Sequence, residues 1–225
     1  MLRVAALIAA KDLRIEVRSK VVTNQVLPFA AIVMVMFAFA LNTDEVVERV
    51  APGLVWLATL FSLLILVQRS FAIETADGAT DAMRAAGVDP AGIFLGKAIA
   101  LAAQLAVLEF VLLITAVVLY RAELHAGGVV LLVTTFVAAT CGLALVGTLY
   151  GGLAAGVRGR ETLLPLLLLP VVAPVLIGAT RATEAALGTR GALVSDGWPW
   201  LGLLVVFVAL FGVGGTLAFG PLIEE

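Results

Sequence analysis

The sequence has one cysteine, Cys141, and one histidine, His125. A disulfide within the chain is excluded, and a Cys/His metal cluster has too few ligands. Charge is also scarce: 13% of the residues are Asp, Glu, Lys or Arg, against about 25% in an ordinary soluble domain. The formal net charge is −2, and the basic residues sit at the ends of apolar runs, not along one stripe. That pattern excludes a nucleic-acid-binding face. No Ser/His/Asp set, Cys/His set or pair of carboxylates on one membrane face offers catalytic chemistry, so the chain is not expected to be an enzyme.

What is abundant is apolar. Hydrophobic residues make up 62% of the 225 residues, and the mean hydropathy is +1.15. A helix needs roughly 20 apolar residues to cross a bilayer. Six stretches qualify: Val26 to Leu41, Gly53 to Ala72, Phe94 to Tyr120, Gly127 to Val157, Thr162 to Thr180 and Trp198 to Leu222. The fold class is an all-α membrane protein, with residues 1–225 forming a single transmembrane domain. Ala38-Phe39-Ala40 is similar to a signal-peptidase site, but the charged segment before the first span is longer than a usual signal peptide allows.

The loops divide unevenly in lysine and arginine. Ten lie before the first span, between the second and third, and between the fourth and fifth; Arg49, Arg121, Arg181 and Arg190 lie on the other side. The positive-inside bias therefore predicts both termini in the cytoplasm. Trp198 and Trp200 suit the outer interfacial belt.

Residues 2–20 read as a helix on the inner surface. Arg3, Lys11, Arg14 and Arg18 fall on one face, Asp12 and Glu16 on another, and Val4, Ile8 and Ile15 form a narrow apolar edge. Anionic lipid headgroups are the expected partner of that basic face.

Residues 73–92 read as a loop between the second and third spans. It holds Glu74, Asp77 and Gly78, then a short helical piece from Ala79 to Ala86, ended by Gly87 with Pro90 as a stop. A short helix at this place is what a partner ATPase would push against; the alternative is an ordinary connection. The following GIFLGK, Gly92 to Lys97, lacks the spacing of a phosphate-binding loop, and Ala98 stands where a magnesium-holding hydroxyl would be. ATP would act only through another subunit.

Two further features lie within the spans. Glu109, with Gln104 nearby, is an ionisable group at membrane depth, so it should face protein or a cavity. It either lines a translocation path or is a packing residue. Pro165, Pro170 and Pro174 should kink or break the fifth span, making it a candidate moving part of the same path. Gly147 and Gly151, Gly152 and Gly156, and the Gly212 to Gly215 group favour close helix packing.

The stretch Ala51 to Met83, APGLVWLATLFSLLILVQRSFAIETADGATDAM, resembles the haem exporter permease family CcmB of bacterial cytochrome c maturation. IFLGKAIA (Ile93 to Ala100), the triple-proline segment Arg160 to Ala185 and KDLRIEVRS (Lys11 to Ser19) resemble it too, so nearly the whole chain is covered. The E-x-x-D-G loop (Glu74, Asp77, Gly78) is shared more widely among ABC export permeases. The stretch DAMRAAGVDP departs from the family, being smaller and more polar than its aliphatic counterpart.

The resemblance implies an ABC exporter permease with an interfacial helix and six spans, paired as a homodimer over separate CcmA-like ATPase subunits. It implies coupling to the ATPase through Glu74, Asp77, Gly78, Met83 and Arg84. Partners would be CcmC-, CcmD- and CcmE-like haem-handling proteins, with haem as cargo and no stably bound cofactor, in the bacterial inner membrane. The rival readings are a permease for lipid, polysaccharide or a drug-like molecule, and an assembly scaffold that transports nothing.

Overall fold

The computed structural model describes residues 1–41, 43–76, 78–120, 126–155 and 160–224. Among these residues there are eight α-helices and no strands. They are α1 (Leu2–Ser19), α2 (Leu27–Ala40), α3 (Asp44–Ala76), α4 (Ala79–Ala85), α5 (Pro90–Tyr120), α6 (Val129–Ala155), α7 (Arg160–Leu187) and α8 (Val194–Glu224). Six segments are long and apolar enough to cross a membrane, from Val22–Ala40 to Val194–Leu222. The chain is a multi-pass membrane protein, and six crossings return it to the side where it began. α1, α4 and the end of α8 therefore share one end of the bundle.

Local chemistry sets the boundaries. α1 stops where Lys20 turns left-handed (φ 55°), its N–H bonding the Glu16 carbonyl at 2.7 Å. A single π-helical turn, Val22–Val26, then runs directly into α2, so the first crossing begins four residues earlier than the apolar run suggests. Gly78 and Gly87, with φ of 64° and 65°, bracket α4. An L side chain is strained there, and glycine is the residue that lets a short helix be inserted between two long ones. Asp89 then caps α5, its carboxylate accepting the Ala91 N–H at 3.1 Å.

The core lies among α3, α5, α6 and α7, around Trp56, Leu63, Phe94, Leu105, Leu108, Leu143 and Val172. Trp56 is fully buried, stacks on Phe136 with centroids 4.9 Å apart, and donates its indole N–H to the Thr183 hydroxyl at 3.0 Å. The P-G-x-x-W segment thus ties α3 to α7. The predicted glycine packing is present in part: Gly147 and Gly151 lie against Val67, Gly152 against Phe219 and Gly215 against Phe94, whereas Gly214 faces open space. Gly156 lies outside the described residues.

The second crossing, Arg49–Glu74, extends past both ends of the Gly53 to Ala72 apolar run, inside the 33-residue α3. α7 is not broken: it runs as one helix through Pro165, Pro170 and Pro174. Its buried stripe of Leu164, Leu168, Val172, Val175 and Ala179 holds it in the core, while Pro170 and Pro174 lie on the exposed face. Packing on the stripe keeps the helix continuous.

Candidate functional site

The end of the bundle that carries α4 is organised by four charges from three helices. Lys97, near the start of α5, is 3% exposed. Its ammonium reaches Glu74 Oε2 at 2.9 Å, Asp12 Oδ2 at 3.3 Å and Ser70 Oγ at 3.1 Å. Three N–H donors thus meet three acceptors, and the ammonium also stands 4.6 Å from the centre of the Phe71 ring. Lys11, from α1, pairs with Glu74 and lies 3.1 Å from Asp12. Two lysines and two carboxylates cancel in charge. Burial alone would lower the pKa of Lys11, but its hydrogen bond to Glu74 and the charges of Asp12 and Glu74 outweigh that and hold it above its ordinary value.

The clasp is possible because α1 lies unusually close to α5. A Cβ at Gly96 would stand 2.6 Å from the Ile8 Cβ and 2.7 Å from the Ala5 carbonyl oxygen; one at Gly92 would stand 2.8 Å from Val4. The two glycines of GIFLGK are seats for α1, and its lysine is the centre of the clasp. Of the predicted apolar edge of α1, Ile8 is buried while Val4 and Ile15 are half-buried; Ala5 and Ala9, which the edge did not include, are buried beside Ile8. Arg14 and Arg18 remain exposed as expected, beside exposed Leu7 and Val17, while Lys11 turns inward.

This geometry revises the coupling residues. Glu74 is not in a loop: α3 continues to Ala76, and Glu74 is 4% exposed in its last turns. Its carboxylate is paired with Lys11 and Lys97. Gly78 is exposed at the start of α4. Met83, also on α4, packs in part against the core. Arg84 belongs to α4, and Asp77 lies outside the described residues.

Glu109 sits far from this clasp along α5 and is 2% exposed. The Thr140 hydroxyl, from α6, is hydrogen-bonded to its Oε2 and lies 2.6 Å from the Phe136 carbonyl. Oε1 has no partner. The clasp and Glu109 are therefore separate features, and neither joins the outward-facing Pro170 and Pro174. Sequence reasoning placed Lys97 among the loop charges and missed Asp12 and Ser70 as its partners. The available signal was a lysine between apolar runs at a helix start, which must find a counter-charge.

Comparison with known proteins covers nearly the whole chain. Relatives called heme exporter protein B include one from Rhodobacter capsulatus, 30% identical over 80% of this chain and 82% of the relative. One from Paracoccus denitrificans is 30% identical over 94% and 92%, and one from Pseudomonas aeruginosa is 28% identical over 96% and 93%. The family model described as CcmB protein matches residues 3–221, and the chain belongs to that family.

Proposed function

We propose that this chain is the membrane-spanning permease subunit of an ATP-driven complex that delivers haem for c-type cytochrome assembly. Its relatives are named as heme exporters, and its six crossings supply a membrane body. The observation that carries the mechanism is α4: a short helix between two glycine turns, attached at one end to α3, whose last turns are clasped to α1 and α5. A separate CcmA-like ATPase docks on α4 and the turn before it, through Gly78, Met83 and Arg84 with Asp77. Closure of two ATPase subunits then moves α4 of each of two paired permeases, and each clasped end follows as a body.

The lysine and arginine bias supports a bacterial inner-membrane location with both termini and α4 in the cytoplasm. The outer face of α1, with Arg3, Arg14 and Arg18 among exposed Leu2, Leu7 and Val17, suits anionic lipid at that surface. Haem-handling partners of the CcmC, CcmD and CcmE kinds complete the assembly.

The test is isolation of the full chain from its own membranes in mild detergent, with the co-purifying proteins identified. An ABC ATPase together with a haem-handling membrane protein supports the reading. An ATPase without haem proteins moves the cargo to lipid, polysaccharide or a drug-like molecule, and no ATPase removes the coupling role of α4. Asp77→Lys should release the ATPase while the chain still inserts; retention of the ATPase would show that this loop is not the contact.

A further inference from the structure

Glu109 lies about 18 Å along α5 from Lys97, and it is 2% exposed. The side chains around the α5–α6 contact are apolar, Phe110, Leu113, Leu132 and Phe136 among them. None of the ion pairs among the described residues includes Glu109. A carboxylate held at this depth without a cation is costly.

The hydrogen bonds around the carboxyl count its protons. Thr140 Oγ1 stands between the Phe136 carbonyl oxygen, 2.6 Å away, and Glu109 Oε2, with which it is also hydrogen-bonded. Two oxygens this close repel each other unless a proton lies between them, so the two contacts need two protons. A threonine hydroxyl has one, and a carbonyl oxygen has none to give. The second proton belongs to the carboxyl. We infer that Glu109 is a neutral carboxylic acid, and that a chain running from Glu109 Oε2–H to Thr140 Oγ1–H to the Phe136 carbonyl fastens α5 to α6 inside the membrane.

The proton's place on the carboxyl follows from the same count. On Oε2 it lets each hydroxyl in the chain donate once. On Oε1 it would face no acceptor, and the Thr140 proton would again be shared between two oxygens. Oε1 keeps no partner in either case. As the carbonyl oxygen of a neutral acid it costs less than an unmet charged oxygen would.

This assignment decides between the two roles that the sequence leaves open for Glu109. The carboxyl is closed in by protein and spends its proton within the chain, so it joins two helices and is not a charge on a path. α5 is then held in two ways. Toward the end that carries α4, Lys97 meets Glu74 and Asp12 as ions; deeper in the bundle, a neutral chain meets α6. The inference is independent of the haem reading, since it needs neither an ATPase nor a haem protein.

The experiment is infrared spectroscopy of the full chain in lipid vesicles, in D2O at neutral pH. A protonated carboxyl absorbs above the amide band and a carboxylate below it. Solvated carboxyls are ionised at this pH, and Asp12 and Glu74 are paired with lysines, so the region above the amide band is clear for Glu109. Wild type should show one protonated-carboxyl band. Glu109→Gln should abolish it and leave the thermal midpoint unchanged, because the amide N–H donates to Thr140 in place of the acid. Thr140→Val removes the acceptor of the acid proton and should move the band to higher frequency. That variant leaves Glu109 in place, which keeps the test decisive if Glu109→Gln fails to insert. A wild-type spectrum without the band, a band that survives Glu109→Gln, or a band that Thr140→Val leaves unmoved would each overturn the proposal.

Discussion

Lys97→Met removes the centre of the clasp and little else, because methionine preserves most of the side-chain volume. Glu74 and Asp12 are then left with Lys11 alone, two carboxylates against one ammonium, at positions where side-chain exposure is 5% and 11%. Removing one partner of a buried ion pair costs about 3–5 kcal/mol. Lys11 still offsets part of the charge, so the lower end applies, about 3 kcal/mol, or roughly a hundredfold at about 1.4 kcal/mol per decade. That energy holds α1 on α5, so the population with α1 detached should rise by the same factor. Arg14 and Arg18 are exposed, and tryptic cleavage there in permeabilised membranes reports the detached population when opening is fast. Cleavage of α1 should accelerate by about two orders of magnitude while the spans stay resistant. The double variant Lys97→Met with Glu74→Leu leaves the neutral Lys11–Asp12 pair, 3.1 Å apart, and should cleave more slowly than the single variant, since replacing both partners by apolar groups is often neutral. Cleavage of Lys97→Met within threefold of wild type would refute the reasoning, as would a double variant as labile as the single one.

Gly96→Ala should detach α1 by a steric route: its Cβ would meet a backbone carbonyl at 2.7 Å, which cannot rotate away, and overpacking of this kind costs about 1–3 kcal/mol; the same cleavage assay reads it. Trp56→Phe leaves the Thr183 hydroxyl without its donor, and thermal unfolding in detergent should show a loss of about 1–3 kcal/mol. Thr183→Val should cost a similar amount, and the pair together clearly less than the sum. The raised pKa of Lys11 means that its stabilisation is complete below its unfolded value, near 10.4, and disappears as pH climbs through the higher folded value. Cleavage of α1 by proteinase K, corrected for the enzyme's own pH profile, should stay flat from neutral pH to about 10 and rise only beyond that; an onset near pH 8 would contradict the raised value.

The crossings and the family were legible because both are written locally. A bilayer demands about 20 apolar residues in a row, and Gly87 marks the end of α4 because a left-handed turn there needs no distant contact. The clasp was not legible, because its members are far apart in sequence: Lys11 meets Glu74 across 63 positions and Lys97 meets Asp12 across 85. Each looked like an ordinary charge at a span end. The helical wheel of α1 separated basic from acidic residues, yet could not say that the acidic and small-residue side would meet α5, since that depends on Gly92 and Gly96 admitting it. The three prolines of α7 suggested a kink or a break, and the continuous helix removes only the break. Intrinsic propensity predicts a break, but the buried stripe on the opposite side keeps the helix whole.

The arrangement makes α1 part of the moving body instead of a passive float. In the proposed complex a force applied to α4 passes Gly78 to α3, and two residues before the end of α3, at Glu74, it meets α1 through Lys11 and α5 through Lys97. Glu74→Gln should therefore separate two properties that a docking role would lose together. Removing its charge takes away one of the two carboxylates that balance Lys11 and Lys97, so α1 should loosen in the cleavage assay. Glu74 is 4% exposed and the substitution leaves the sequence of α4 unchanged, so ATPase binding should persist while stimulation of ATP hydrolysis by the permease falls. If Glu74→Gln instead releases the ATPase and leaves α1 as protected as in wild type, the carboxylate faces a partner, and the clasp has no part in coupling.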